Sequence, residues 1–184
     1  MKNLLLVISG PSGVGKGTIV KKLLSRGNYS LSVSATTRPP REGEKNGEAY
    51  FFLTRAEFEK GIKDGGFLEY SEHFENYYGT PKKFVEEKLK FSDVILEIEV
   101  DGALQVKKSH PEAVLIFILP PSEKELEARL IGRGTESPEK IKSRLSRLSY
   151  ELSKKELYDF RVINDDLTAA VGEIENIIAS KKGE

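Results

Sequence analysis

Seven consecutive residues near the start of the chain have the composition of a phosphate-binding loop. They are Gly10, Pro11, Ser12, Gly13, Val14, Gly15 and Lys16. In such a loop, successive backbone N–H groups wrap an anion, and the lysine reaches the outer phosphates of a nucleotide. The alternative is a glycine-rich turn with an exposed lysine. The strand pattern before the loop and the helix pattern after it favour the phosphate-binding interpretation.

The residue that follows the loop lysine departs from the usual pattern. A Ser or Thr is expected there, because its hydroxyl binds Mg²⁺, but this chain has Gly17, with Thr18 one residue later. The sequence therefore leaves two ways of holding the metal open. Either Mg²⁺ is held more through water, or Thr18 contributes.

Three carboxylates alternate with apolar residues in the segment 95–101. Glu97, Glu99 and Asp101 would share one face of a strand, because side chains alternate with a period of two. Ligands of open α/β sheets bind at the carboxyl ends of the strands, so these residues are candidates for holding Mg²⁺ or an acceptor nucleotide. The alternative is a solvated face at the sheet edge.

A second candidate anion site lies in the segment Arg38-Pro39-Pro40-Arg41. Two prolines favour polyproline II, in which side chains three residues apart point the same way. Both guanidinium groups would then face one phosphate, whose oxygens match the arginine fork. The alternative is a solvated basic turn.

Arg129, Arg133 and Arg144 lie on or beside a glycine break at 132–134 in the late helical region. A hinged helical lid with arginines could close over a transferring phosphoryl group, although single helix arginines are more often surface charges. His73 and His110 have no Cys or carboxylate at metal-ligand spacing, and we predict structural roles for both.

The elements that must position these residues alternate between strand and helix at both ends of the chain. Strand patterns cover residues 4–8, 29–36, 94–100, 113–119 and 160–164. Helix patterns begin near 16, after the capping box of Thr54 and Glu57, at 80–81, at 122, at 137–138 and at 168. The 94–100 and 113–119 segments resemble inner strands of a parallel sheet, which predicts an α/β fold with right-handed crossovers.

Composition sets broader limits. The chain has 184 residues, which fits one domain. Lys+Arg and Asp+Glu each number 29, so no overall field draws the protein to nucleic acid or to a membrane. The sequence has no Cys, no apolar run that could span a bilayer and no leader pattern, and we expect a cytoplasmic protein with no obligatory protein partner.

The chain resembles a guanylate kinase almost from end to end. The matching segments, in order, are GPSGVGKGT, SATTRPPREGEKNGEAYFF, GFLEY, NYYGTP, ILEIEVDG, FILPPS, GRGTES and VINDD. The resemblance implies a P-loop kinase core with a parallel β-sheet flanked by helices, an inserted GMP-binding lobe and a helical lid. We place the core at 1–34, 92–121 and 158–184, the lobe at about 35–91 and the lid at about 122–157 of a single domain.

The resemblance also implies roles for individual residues. The GMP phosphate would be held by Arg38, Arg41, Tyr50 and Tyr78, and the guanine base would be read by Ser34, Glu69 and Thr80. A carboxylate at Glu69 suits guanine, because it accepts from the adjacent ring N–H and amino group that adenine lacks. ATP would lie on the loop from Gly10 to Thr18, with Asn164 near adenine. Glu97 and Glu99 would face the acceptor or the metal.

By the same resemblance, Arg129, Arg133 and Arg144 would contact ATP phosphates from the lid or core. The implied substrates are ATP and GMP, with dGMP as a further acceptor, and the implied cofactor is Mg²⁺ with ATP. Two alternatives stay open. One is a non-catalytic guanylate-kinase-like interaction module, against which Lys16, Arg38 and Arg41 speak. The other is a P-loop kinase for another nucleoside monophosphate.

Overall fold

The structure is a computed structural model that describes residues 2–73, 75–126 and 138–183. Its strands are β1 (Leu5–Ser9), β2 (Tyr29–Leu31), β3 (Ala35–Thr36), β4 (Phe51–Phe52), β5 (Phe67–His73), β6 (Asn76–Pro81), β7 (Asp93–Glu97), β8 (Val114–Leu119) and β9 (Phe160–Ile163). Its helices are α1 (Lys16–Leu24), α2 (Arg55–Lys63), α3 (Lys82–Lys88), α4 (Val100–Ser109), α5 (Pro138–Ser153) and α6 (Leu167–Gly183). A short 3-10 helix covers Lys155–Leu157.

A parallel sheet forms the centre of the structure, with the strand order β2-β7-β1-β8-β9. Strands β1, β7 and β8 are inner strands, and their apolar residues other than Leu119 are buried. A strand that is covered on both faces is apolar at successive positions, which explains why these segments read as unbroken apolar runs. The predicted α/β class with a parallel sheet flanked by helices is confirmed.

Alternate residues of the inner strands enter two hydrophobic cores, one on each face of the sheet. Leu5 and Val7 pack into the core that α4 and α5 cover. Leu6 and Ile8 pack into the core that α1 and α6 cover. This arrangement follows from the period of two along a strand, and it holds the carboxyl ends of β1 and β7 at one rigid edge.

Residues 35–81 build a second, mostly antiparallel sheet, with the strand order β4-β3-β6-β5. Helix α2 begins at the predicted capping box: Thr54 accepts from the backbone N–H of Glu57, whose side chain accepts from the backbone N–H of Thr54. The Phe58 ring of this helix stacks on Phe67 and Tyr77 with centroids 4.2 and 5.1 Å apart. These contacts fasten α2 to the sheet that carries Glu69.

Several predicted boundaries were wrong. The 29–36 segment is not one strand, because β2 joins the central sheet while β3 joins the second sheet. The helix predicted to begin at 80–81 begins at Lys82 and ends at Lys88. The strand predicted over 94–100 ends at Glu97, and a helix that the sequence analysis did not predict begins at Val100. None of the helices in the described ranges is long and apolar enough to cross a membrane.

Candidate functional site

The predicted phosphate loop connects β1 to α1 at the edge of the central sheet. Gly15 caps the helix in the left-handed conformation, with φ of 96°. A Cβ at this position would lie 2.5 Å from Nδ2 of Asn164, so any other residue would displace the Asn164 amide as well as strain the backbone. Gly15 places no capping side chain over the start of α1, where backbone N–H groups can bind an anion.

Lys16 bends back over the loop that precedes it. Its Nζ donates to the carbonyl oxygens of Gly10 and Pro11 at 2.6 and 2.9 Å. Burial lowers the pKa of Lys16, against the opposing effect of nearby carboxylates, chiefly those of Glu151 and Glu97. The ammonium is therefore held at the mouth of the loop, where a phosphate would replace the carbonyl partners.

Asn164 follows β9 and contacts the loop directly. Its side-chain amide donates to the carbonyl oxygen of Val14 at 2.8 Å, and its backbone N–H donates to Leu119. Asn164, which was predicted to lie near adenine, therefore also connects the end of the central sheet to the predicted phosphate loop.

The structure has a cavity of about 400 Å³ between the central sheet, the second sheet and helix α5. It receives side chains from β5, β6, the end of β7, the start of α4, and α5. The lining residues are Ser34, Tyr50, Glu69, Ser71, His73, Tyr78, Gly79, Glu97, Ile98, Glu99, Asp101, Gly102 and Arg147.

Glu69 is the most buried carboxylate of this cavity, with 7 % of its surface exposed. Its Oε1 accepts from the Thr80 hydroxyl at 2.6 Å, and its Oε2 lies 2.7 Å from where a Cβ of Gly102 would be. Burial raises the pKa of Glu69, the Thr80 hydrogen bonds oppose this, and Glu99 adds to it. A buried carboxylate with unused lone pairs is suited to a ligand that offers adjacent N–H donors.

The carboxylates of the 97–101 segment do not share one strand face as predicted. Glu97 ends β7, Glu99 is the N-terminal cap residue of α4, and Asp101 lies in the first turn of that helix. All three nevertheless line the same cavity, because the carboxyl end of a parallel strand and the start of the following helix meet at one edge of the sheet.

Glu97 also faces the phosphate loop. A Cβ at Gly17 would lie 3.5 Å from Oε1 of Glu97, which is ordinary contact distance. Thr18 is exposed in the first turn of α1. Within the described part of the chain, no three His, Cys, Asp or Glu side chains are placed to hold a metal ion by themselves.

Arg38 and Arg41 are organised by a carboxylate that the sequence analysis did not single out. Nη2 of Arg38 donates to both carboxylate oxygens of Glu44, at 2.9 and 3.0 Å, and the backbone N–H of Arg41 donates to Glu44 Oε2 at 2.7 Å. The guanidinium of Arg38 also lies 5.5 Å from the centroid of the Tyr50 ring. The signal for Glu44 was its place in the turn that directly follows the two arginines.

The tyrosines predicted to meet a phosphate lie together. The Tyr50 and Tyr78 ring centroids are 6.2 Å apart, and the His73 ring centroid is 6.3 Å from that of Tyr78. His73 Nε2 lies 3.3 Å from Oε2 of Glu99. His73 was predicted to be structural, but it lines the cavity.

Helix α5 contributes two further residues that the sequence analysis missed. Arg147 donates to Glu99 at 2.5 Å and to Glu151 at 3.2 Å. Glu151 is buried, with 6 % of its surface exposed, and burial raises its pKa against the opposing effects of Arg147 and Lys16. The spacing of Arg147 and Glu151 signals a helical pair, but it carries no information about Glu99.

The predicted arginines of the lid cannot be placed. Arg129 and Arg133 lie outside the described residues. Arg144 is part of α5, but its side chain lies outside what the structure describes.

Comparison with known proteins points to one family. The family model described as guanylate kinase matches residues 2–181. A protein named guanylate kinase from Clostridium tetani is 51 % identical over 182 residues, which cover 98 % of this chain and 88 % of that protein. A protein of the same name from Thermus thermophilus is 49 % identical over 99 % of this chain and 82 % of its own length.

A solved structure supports the same comparison. The crystal structure of guanylate kinase from Anaplasma phagocytophilum is similar to this chain with a TM-score of 0.78 and 34 % sequence identity. The match covers 100 % of this chain and 88 % of the solved chain.

Proposed function

The chain belongs to the guanylate kinase family, and we propose that it binds GMP in the cavity around Glu69 and ATP on the loop around Lys16. It is a nucleoside monophosphate kinase that transfers a phosphoryl group from ATP to GMP. The observation that carries the site assignment is the buried Glu69–Thr80 pair in a cavity that shares Glu97 with the phosphate loop.

The guanine base would lie against Glu69, Thr80 and Ser34. The Thr80 hydroxyl occupies one lone pair of the carboxylate and orients it, which leaves lone pairs for the ring N–H and amino group of guanine. The phosphate of GMP would then reach Tyr50 and Tyr78 at the other end of the cavity, where Arg38 lies against the Tyr50 ring. Arg41, whose backbone N–H shares the Glu44 carboxylate with Arg38, would add a second guanidinium. We assign the GMP-binding lobe to residues from about 35 to 91.

ATP would place its phosphates on the N–H groups of the loop and on Lys16, with adenine toward Asn164. The predicted lid, at about 122–157, would add Arg129, Arg133 and Arg144 to the transferring phosphoryl group. The loop N–H groups, Lys16 and the arginines would align the phosphates of ATP and GMP and neutralise their charge. No general base is required, because the attacking oxygen of the GMP phosphate is already anionic at neutral pH. A closed site also excludes water, which would otherwise accept the phosphoryl group.

Mg²⁺ fits this site as a complex with ATP. The residue after the lysine lacks a hydroxyl, but the Glu97 carboxylate lies against that position and offers the hard oxygen that Mg²⁺ prefers. Glu97, Glu99 and Thr18 would therefore hold the ion, in part through water. When bound, the ion would neutralise charge on the phosphate oxygens of ATP.

We predict that Mg²⁺ binds weakly to the protein without nucleotide, because carboxylates alone supply few ligands and Mg²⁺ loses its water reluctantly. Calorimetric titration of Mg²⁺ into the nucleotide-free protein should give no saturable heat. The same titration with a non-hydrolysable ATP analogue should saturate, and Glu97→Gln should weaken it. Tight, saturable binding to the nucleotide-free protein would contradict this assignment.

Glu44→Gln should raise the KM for GMP about tenfold with a smaller change in kcat, because Arg38 loses a charged partner that fixes its direction. The Arg38 and Glu44 side chains are only 15 % and 21 % exposed, so water does not replace the carboxylate well. Steady-state kinetics with GMP varied at saturating ATP would measure the effect.

Glu48→Gln is the matched control for this change. Glu48 lies four residues later in the same segment, and its ion pair with Lys45 is 3.8 Å long and exposed. The KM of the Glu48→Gln variant for GMP should stay near the native value. An unchanged KM in Glu44→Gln would mean that Arg38 is oriented by other contacts.

The assignment of the acceptor is tested by a coupled assay across GMP, dGMP, AMP and UMP. We expect turnover with GMP and dGMP, which share the guanine edge, and little with AMP or UMP. Equal efficiency with AMP would remove the cavity around Glu69 from the specificity role.

A further inference from the structure

Arg147 connects the two halves of the site. From α5, its Nη2 donates to Glu99 Oε2 at 2.5 Å, and its Nε donates to Glu151 Oε1 at 3.2 Å. Glu99 lines the proposed GMP cavity, whereas the charge of Glu151 acts on Lys16 in the phosphate loop. The guanidinium of Arg147 therefore lies between the proposed GMP cavity and the proposed ATP phosphate loop.

The cavity presents an electrostatic problem for its substrate. It is lined by the carboxylates of Glu69, Glu97, Glu99 and Asp101, yet GMP brings a phosphate dianion. Among the described residues that line the cavity, Arg147 is the one that carries a permanent positive charge. Without compensation, the negative charges of these carboxylates would repel the phosphate of GMP and oppose its binding.

Two of the neighbouring charged groups, Asp101 and Arg38, have other partners. Asp101 accepts from the Tyr150 hydroxyl at 2.6 Å, which satisfies a hydrogen bond but cancels no charge. The Arg38 guanidinium at the rim is paired with Glu44. Among the described residues, Arg147 is therefore the permanently charged side chain that pairs directly with Glu99.

Glu99 also lies near the end of the cavity where we place the GMP phosphate. Its Oε2 is 3.3 Å from His73 Nε2, and the His73 ring packs 6.3 Å from the ring of Tyr78, a proposed phosphate ligand. An uncompensated carboxylate at this position would therefore repel the phosphate group more than the guanine base.

We propose that Arg147 is a positioning residue for GMP: it neutralises and holds Glu99, so that the acidic cavity accepts the phosphate dianion. This inference rests on the proposed location of GMP in the cavity around Glu69. The role is distinct from a contact with the transferring phosphoryl group, because it acts through Glu99 before ATP is bound.

The test is calorimetric binding of GMP without ATP or Mg²⁺, at ionic strengths of about 0.05 M and about 0.5 M. Arg147→Gln should weaken GMP binding about tenfold at low salt and clearly less at high salt, because salt screens the repulsion from Glu99. In steady state, the KM for GMP should rise more than kcat falls.

The second arm is rescue by a second substitution. Arg147→Gln combined with Glu99→Gln should bind GMP more tightly than Arg147→Gln alone, because the repelling charge is gone. If Arg147 only braced α5 against α4, the second substitution would remove another contact and binding would not recover. Equal losses at both salt concentrations, without recovery in the double variant, would overturn the proposal.

Arg26→Gln is the matched control. Arg26 forms an exposed ion pair with Glu175 at 3.4 Å between α6 and the end of α1. The substitution removes the same charge from the protein without touching the cavity. GMP binding should stay within about twofold of the native value at both salt concentrations.

Arg147→Lys keeps the proposal testable if Arg147→Gln does not fold. Lysine retains the charge and loses the fork, so GMP binding should stay within about threefold of native. A tenfold loss in folded Arg147→Lys would assign the role to fork geometry and overturn charge compensation. If instead Glu69→Gln leaves GMP binding unchanged, the location of GMP is wrong, which is a separate failure.

Discussion

Replacing Lys16 by methionine is expected to lower kcat by at least about a thousandfold while the fold stays intact. Methionine is also unbranched, but it brings no charge to the phosphates of ATP. Phosphoryl transfer depends on alignment and charge neutralisation, so no other described group of the loop can supply what the ammonium supplies. Steady-state turnover of GMP and ATP, measured beside far-UV circular dichroism, checks both parts of the prediction.

The fold should survive because Lys16 belongs to neither hydrophobic core of the sheet. Its hydrogen bonds to the carbonyl oxygens of Gly10 and Pro11 are local to the loop. Losing a net contribution of about 1 kcal/mol shifts the unfolding midpoint by about 2–4 °C for a domain of this size. A larger fall would mean that the lysine is needed to build the loop as well as to bind phosphate.

Lys21→Met provides the control, because Lys21 is exposed on the same helix, α1. It removes an equal charge and should keep native turnover. If Lys16→Met retained near-native kcat, the phosphate loop assignment would be wrong, however well the backbone matches such a loop.

The features that the sequence predicted well are set by neighbouring residues. The proposed phosphate loop is one run of residues, and the start of the helix that follows it is a local property; α1 begins near residue 16 as predicted. The capping box of Thr54 and Glu57 is complete within four residues, and it was confirmed. Local rules suffice in both places because every partner is nearby in the chain.

The strand predicted over 94–100 illustrates the opposite case. Alternating carboxylates from Glu97 to Asp101 have the period of a strand, but Val100 can be buried equally well on the first turn of a helix. The chain leaves the sheet at Glu97, and α4 then packs its buried residues against the face of β1. That choice depends on tertiary packing, which a two-residue period cannot report.

Long-range pairing explains the residues that were missed. Arg147 and Glu99 are separated by 48 residues, and nothing near either one identifies the other. The Glu69 carboxylate lies against Gly102, where a Cβ would come within 2.7 Å of Oε2 and force the carboxylate to move. The family resemblance pointed to Glu69, but the reason that it is buried and oriented is visible only in the folded chain.

Glu69→Gln is expected to lower kcat/KM for GMP by at least about tenfold. The ratio of kcat/KM for AMP to kcat/KM for GMP should rise. Glutamine keeps the size but replaces one acceptor with an amide donor. If the amide oxygen keeps the Thr80 hydrogen bond, the NH₂ faces the N–H donors of guanine. Each mismatched buried polar group costs about 1–3 kcal/mol. Adenine presents an acceptor beside an amino group, which glutamine can match.

A dependence on pH follows from the same burial. Burial raises the pKa of Glu69 above the ordinary carboxyl value, although the Thr80 hydrogen bonds oppose the rise. Only the ionised carboxylate accepts from both guanine donors, so GMP efficiency should fall on acidification before an exposed carboxylate would protonate. The glutamine of Glu69→Gln cannot titrate, so the fall in GMP efficiency on acidification should be absent from this variant. The pH profile therefore distinguishes the effect of the Glu69 charge from the effect of its shape.

Glu72→Gln is the matched control for both measurements, because Glu72 lies on the same strand, is exposed and pairs with Arg55 at 3.0 Å. Its kcat/KM values for GMP and AMP should stay native. The KM for ATP should change little in either variant, since the loop around Lys16 lies outside the residues that line the proposed GMP cavity. An unchanged GMP-to-AMP ratio in Glu69→Gln would remove Glu69 from the specificity role, and the guanine edge would then have to be read by Ser34 or Thr80 alone.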